Sequence, residues 1–235
     1  MRFPIIFMLL FWSFSVAAQS LSNQAQIVLS SGANLVLTDM GISQSGSGEI
    51  SGTGAVILGG TAPVVLENSG TNDLVFYDLE IDNAGGVTIN DPIEVTNSLN
   101  LIDGIIDANT APVNFGTSAT VAGASNASHV DGEATKEGSA DFSFPVGDNG
   151  IYQPIEILGL TASGVFTAQY YDQPHPDPIG PWFDGDDWPI STCDYWNLEK
   201  LSGIGNAEIR LTYGNNLCNE VNDFNFLRVA RYAGG

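Results

Sequence analysis

Asp103 and Asp107 flank Gly104-Ile105-Ile106 and are the nearest approach in this chain to a paired-carboxylate centre. In an extended strand they stand roughly 13 Å apart, at about 3.3 Å per residue. Inverting glycosidases need about 6.5–9.5 Å and retaining ones about 5–5.5 Å. A bend at Gly104 would shorten the gap, but capping of turns is the expected role of both acids. A second group, Asp172, Asp177, Asp184, Asp186 and Asp187, gathers around prolines and Gly185. Hard oxygen ligands at a glycine turn suit Ca²⁺, yet the spacing matches neither an EF-hand loop nor the glycine-rich calcium-solenoid repeat. The competing expectation is a solvated, proline-rich surface loop. Trp182 and Trp188 flank these acids and suit either a sugar-stacking platform or packing over a sheet edge. His129 and His175 are the two histidines, and Pro174 and Pro176 should hold His175 extended and exposed. No serine elbow adjoins a helix, and neither a phosphate loop nor a dinucleotide fingerprint occurs. The expectation is a protein without catalytic residues.

The elements that must position these side chains are short strands. Ile27-Val28-Leu29, Leu35-Val36-Leu37, Ala55-Val56-Ile57-Leu58, Val64-Val65-Leu66 and Leu74-Val75-Phe76 are brief apolar groups. Between Leu79 and Ala108 the text reads Leu-x-Ile, Val-x-Ile, Ile-x-Val and Leu-x-Leu, separated by Gly, Asn and Asp. Period-two alternation marks half-buried strands, and no segment keeps a helical period. Strand spacing of about 6–10 residues is tighter than the 8–12 of a sandwich. It predicts strands of about three to five residues in about five stacked coils of roughly 20 residues. An irregular antiparallel sandwich is the competing arrangement. From Thr135 the texture changes. Longer strands are expected at Phe142–Val146, Gln153–Leu158, Gly164–Tyr171, Tyr195–Leu198, Ala207–Tyr213 and Phe226–Tyr232. In Ala207–Tyr213 the residues Ala207, Ile209, Leu211 and Tyr213 share one face, and Glu208, Arg210 and Thr212 the other, as in a strand with one wet face.

Net charge is −21 at pH 7. Between Gln19 and Thr135 there is neither lysine nor arginine; Lys136, Lys200, Arg210, Arg228 and Arg231 all follow. Such a surface repels nucleic acid and anionic polysaccharide, and a lyase for pectin or alginate would want cations in its groove. Thr88, Thr96, Thr110, Thr117 and Thr120 form no regular Thr-x-Thr array for ice or mineral. The N-terminus reads as a secretory signal: Arg2, the apolar run Ile5–Phe14, then Val16-Ala17-Ala18 before Gln19. The run is too short for a bilayer-spanning anchor, and no other segment is long and apolar enough to span one. In an exported chain Cys193 and Cys218 are expected to form a disulfide. Reduced thiols or a metal pair are the alternatives, the latter opposed by the distance in sequence to either histidine.

His129-Val130-Asp131-Gly132-Glu133-Ala134-Thr135-Lys136, Phe142-Ser143-Phe144-Pro145-Val146-Gly147 and Tyr152-Gln153-Pro154-Ile155 resemble a module of secreted Bacteroidetes proteins. Asp194-Tyr195-Trp196-Asn197-Leu198 and Leu227-Arg228-Val229-Ala230-Arg231-Tyr232 are similar to later strands of that family. Ile93-Glu94-Val95 through Ile105-Ile106 resembles its solenoid coil. These motifs are apolar-and-turn patterns, and no catalytic residue comes with them. The resemblance implies a large adhesin-like protein, secreted or held at the cell surface, often with a C-terminal type IX secretion sorting domain. Such a domain does not occur within these residues, and further domains after Gly235 are expected.

Together these readings predict an all-β chain. Residues 1–18 form a signal peptide cleaved near Ala18, residues 19–133 a short parallel β-solenoid, and residues 134–235 an antiparallel β-sandwich truncated at its C-terminal end. The expected role is a non-enzymatic extracellular structural or adhesion module, binding polysaccharide or protein at a cell surface. Its expected cofactors are none beyond the Ca²⁺ considered for the aspartate loop. The alternative is the non-catalytic part of a larger secreted carbohydrate-active enzyme.

Overall fold

The computed structural model describes residues 19–177 and 191–213, with residues 229 and 231. The expected signal peptide and nearly all of the strand expected at Phe226–Tyr232 lie outside them. The described chain is all strand and turn, with no helix. Its larger part is a succession of three-sided rungs. The first rung holds β1 (Gln19–Asn23), β2 (Gln26–Leu29) and β3 (Asn34–Thr38). The second holds β4 (Met40–Gln44), β5 (Glu49–Gly52) and β6 (Ala55–Gly60). Below them come β7 (Val64–Asn68) and β8 (Leu74–Asn83), β9 (Val87–Ile89) and β10 (Ile93–Asp103), then β11 (Ile106–Phe115) and β12 (Thr120–Ala122). β13 (Val130–Gly138) closes the series into about six parallel turns.

Each turn places its aliphatic residues on those of the previous turn. On the first face Leu21, Ile42, Leu66 and Ile89 stack, beside Val64, Val87, Ile106, Val130 and Val146. On the second, Leu74, Ile93, Val113 and Ala134 form one column and Phe76, Val95 and Phe115 another. On the third, Val56, Leu79 and Leu99 run beside Leu37, Leu58, Ile81 and Leu101. From the second rung onward these side chains are almost wholly buried. Alternation points one residue of each pair inward, and parallel register stacks like on like.

Strand length departs from expectation. β8, β10 and β11 run 10, 11 and 10 residues, not three to five. Each turns a corner of the prism without leaving the strand conformation, and the register shifts there, between Val95 and Ser98 and between Ala108 and Val113. The turn signal at Asn97-Ser98 is a bend within a strand.

The expected boundary at residues 133 and 134 falls inside β13. Its first half pairs in parallel with β11 on the first face; its second half pairs with β11 and, antiparallel, with β18 (Gly164–Tyr171). After β14 (Phe142–Phe144), Pro145 ends one strand and β15 (Val146–Asp148) begins another. β15 returns to the first face as its last parallel strand, with β16 (Ile151–Tyr152) folded back on it. β14 pairs with β17 (Ile155–Leu158), and β17 with β20 (Glu208–Leu211), while β18 pairs with β19 (Tyr195–Gly203). Phe142, Phe144, Ile155 and Ile157 of the three-stranded sheet meet Phe166, Ala168 and Tyr170 of β18 in one core continuous with the solenoid interior. Glu156 and Arg210 lie opposite each other on the wet face, paired at 2.9 Å.

Lys136, the first cation after Arg2, points inward. It follows Phe115 in the second-face column, is 2% exposed, and donates to the carbonyls of Gly116 and Thr117 beside the Phe142 ring. A buried ammonium needs such acceptors. Burial pulls its pKa below the ordinary lysine value.

Candidate functional site

The end of the antiparallel sheet concentrates aromatic and acidic groups. Along β18 alternation sends Tyr170 inward and Tyr171 outward. The antiparallel register sets Tyr170 opposite Trp196 and Tyr171 opposite Tyr195. Tyr170 packs at 5.2 Å from Trp196, whose Nε1 donates to the Gln153 carbonyl at 2.9 Å. The Tyr170 hydroxyl donates to Asp194 Oδ2 at 3.3 Å, and Ser191 Oγ donates to Asp194 Oδ1 at 2.8 Å. Burial, then the charges of Asp194 and Asp172, raise the Tyr170 phenol far above its ordinary value, so it acts only as a neutral donor.

On the outer side Tyr171 and Tyr195 stack at 4.6 Å with an interplanar angle of 13°. The ring of His175 meets Tyr195 edge-on at 4.8 Å. His175 is therefore half-buried against an aromatic face, not exposed as the flanking prolines suggested. The Tyr171 hydroxyl donates to Gln169 Oε1 at 2.8 Å, and burial raises its phenol pKa first, with Tyr195, Glu133 and Asp148 adding to the effect. Half-exposed rings beside carboxylates can stack on the C–H face of a sugar while the acids accept its hydroxyl protons. Sequence reading missed this pair. The signal was Tyr170-Tyr171 and Tyr195-Trp196 in adjacent strands, but the register that joins them is set by the sheet.

Of the aspartates considered for Ca²⁺, Asp172 donates its backbone N–H to Asp148 Oδ2 at 3.0 Å, and Asp177 its backbone N–H to His175 Nδ1 at 3.1 Å. Asp184, Asp186, Asp187, Trp182 and Trp188 lie outside the described residues. Among the described residues no three His, Cys, Asp or Glu side chains come together to hold a metal ion. Cys193 is not a free thiol, and Cys218 lies outside the described residues. Asp103 accepts the N–H of Gly104 at 2.9 Å at one corner of the prism. Asp107 sits on the first face, where Asn109 donates to it and to Asp131 at 3.0 and 3.1 Å. Gly104 makes that corner with φ +93°, and a Cβ there would run into the Asn83 carbonyl.

Two further places carry unusual chemistry. On the second face β2 and β5 form a separate two-stranded sheet. The loop before β8 is held to the second rung by Gln44 Nε2 on the Asn72 and Asp73 carbonyls and by Asn72 Nδ2 on those of Ser47 and Gly48. Beside it lies a cleft of about 550 Å³, lined by Ile50, Val56, Asn72, Asp73, Val75 and Tyr77 among others. His129 is wholly buried. Its Nδ1 donates to the Ser125 carbonyl at 3.0 Å, and its Nε2 has no partner. A Cβ at Gly147 would strike the ring, so only glycine fits there. Burial lowers the His129 pKa, outweighing Ser125, Asp131 and Asp148, and keeps the ring neutral.

Searches against family profiles, curated proteins and solved structures find no match to this chain.

Proposed function

We propose that this chain is a non-enzymatic extracellular scaffold and adhesion module, exported after cleavage near Ala18, that contacts carbohydrate or protein at a cell surface through the Tyr171–Tyr195 end. One observation carries the reading. The second face runs from β8 through β10, β11, β13 and β18 to β19 as one hydrogen-bonded sheet, joining a stacked prism to an aromatic end without a linker. Such continuity suits a rigid stalk that presents a tip.

The experiment is a screen of purified protein against neutral polysaccharides for both binding and turnover. Binding that falls about tenfold in a Tyr171→Ala/Tyr195→Ala double variant, equivalent to about 1.4 kcal/mol, supports the reading. Release of reducing sugars or unsaturated products overturns the non-enzymatic part. Equal binding by the variant overturns the tip. The proposed Cys193–Cys218 disulfide closes a loop of about 25 residues, for which chain entropy gives about 3.5 kcal/mol. Alkylation with and without reductant, read by mass, checks it. N-terminal sequencing of the exported protein should begin at Gln19.

A further inference from the structure

Among the described residues no strand covers the first rung. Leu21, Ile27 and Leu35 point toward the interior yet are only half-buried, whereas Ile42, Ile50 and Val56, their counterparts one rung below, are 0%, 5% and 1% exposed. Among the described residues β1, β2 and β3 each pair on one side only, with β4, β5 and β6. Their other edges present unpaired backbone donors and acceptors. Proteins guard such edges with lysine, proline or inward charge. Here no Asp, Glu, Lys, Arg, His or Pro occurs anywhere from Gln19 to Thr38, in a chain of net charge −21. Val28 and Val36, on the outer sides of β2 and β3, are 62% and 57% exposed.

We propose that this rung, once residues 1–18 are removed, stacks on the same rung of a second copy. Charge selects the occupant. Two copies of so acidic a chain repel wherever carboxylates face each other, and each later rung carries them, from Glu49 through Asp78, Glu80 and Asp107 to Asp131. The first rung is where copies meet without that cost. It also offers no side-chain charge by which a basic or acidic partner would be recognised. A two-fold axis through the first face sets β1 antiparallel to its own copy and β2 antiparallel to the partner's β3. All three edges are then paired, the half-buried aliphatics of both rungs are covered, and Val28 lies beside Val36 of the partner subunit.

The test is sedimentation of the chain beginning at Gln19, across micromolar concentrations. It should be a dimer. Val28→Asp/Val36→Asp and Val28→Lys/Val36→Lys variants, both altered at exposed positions that leave the interior intact, should each weaken self-association about a hundredfold. Circular dichroism and cooperative melting show that they remain folded. An equimolar mixture of the two should recover a heterodimer. A monomeric parent chain overturns the proposal, as does a dimer indifferent to either substitution or a mixture that stays monomeric.

Discussion

The solenoid and the antiparallel end treat surface charge in opposite ways. In the antiparallel end Glu156 and Arg210 stand directly across from each other. In the solenoid each residue stacks on one a rung away, and there Asp82 meets Asp103 and Asp107 meets Asp131. The chain answers with side-chain amides. Asn97 donates to Asp78 at 2.7 Å, Asn100 to Glu80 at 2.9 Å, and Asn109 bridges Asp107 and Asp131. An amide offers a donor without adding a cation. That is how a surface without lysine or arginine stays satisfied, and why it keeps its negative field.

The same contrast ranks the perturbations. Phe115→Ala, in the middle of a stacked column, should cost about 3–5 kcal/mol, whereas Leu35→Ala in the open rung should cost about 1 kcal/mol. Thermal melting of both variants as monomers, at concentrations too low for self-association, compares a covered rung with an uncovered one. Lys136→Met strands the Gly116 and Thr117 carbonyls where the two regions meet and should cost about 2 kcal/mol, read by urea denaturation. Acid should act through His129. Its folded pKa is depressed below the unfolded value of about 6.5. The unfolded chain therefore binds the proton first. Stability is full above that value and declines as pH falls below it, until the folded pKa is reached. A His129→Gln variant that keeps the same slope in this window would refute the assignment. The smallest effects belong to the surface. Asn100→Asp sets a like charge against Glu80 and should cost about 0.5–1 kcal/mol, easing with salt. Arg210→Ala, losing an exposed ion pair, should cost less than about 1 kcal/mol.

Much of the prism was legible because burial in a coil leaves a local mark. Leu79-Glu80-Ile81, Val87-Thr88-Ile89 and Ile93-Glu94-Val95 alternate, and glycine or asparagine stands between them. The corners inside β8, β10 and β11 were not legible, since polar residues such as Asn97-Ser98 read as turns although the backbone stays extended. The inward course of Lys136 was hidden for a related reason. A lysine after an alternating run looks like a wet position until carbonyls are found to receive it. The Tyr171–Tyr195 pair needed partners 24 residues apart in sequence to be brought across a sheet.

Composition and period-two patterning by themselves determined that the described residues are strand and turn, stack in coils and turn an acidic face outward, because alternation and turn chemistry act between near neighbours. The tertiary structure alone decided which columns form, where parallel pairing gives way to antiparallel within β13, and which edges are left unpaired. Those outcomes depend on register between segments a full rung or more apart, and register is chosen by collective packing.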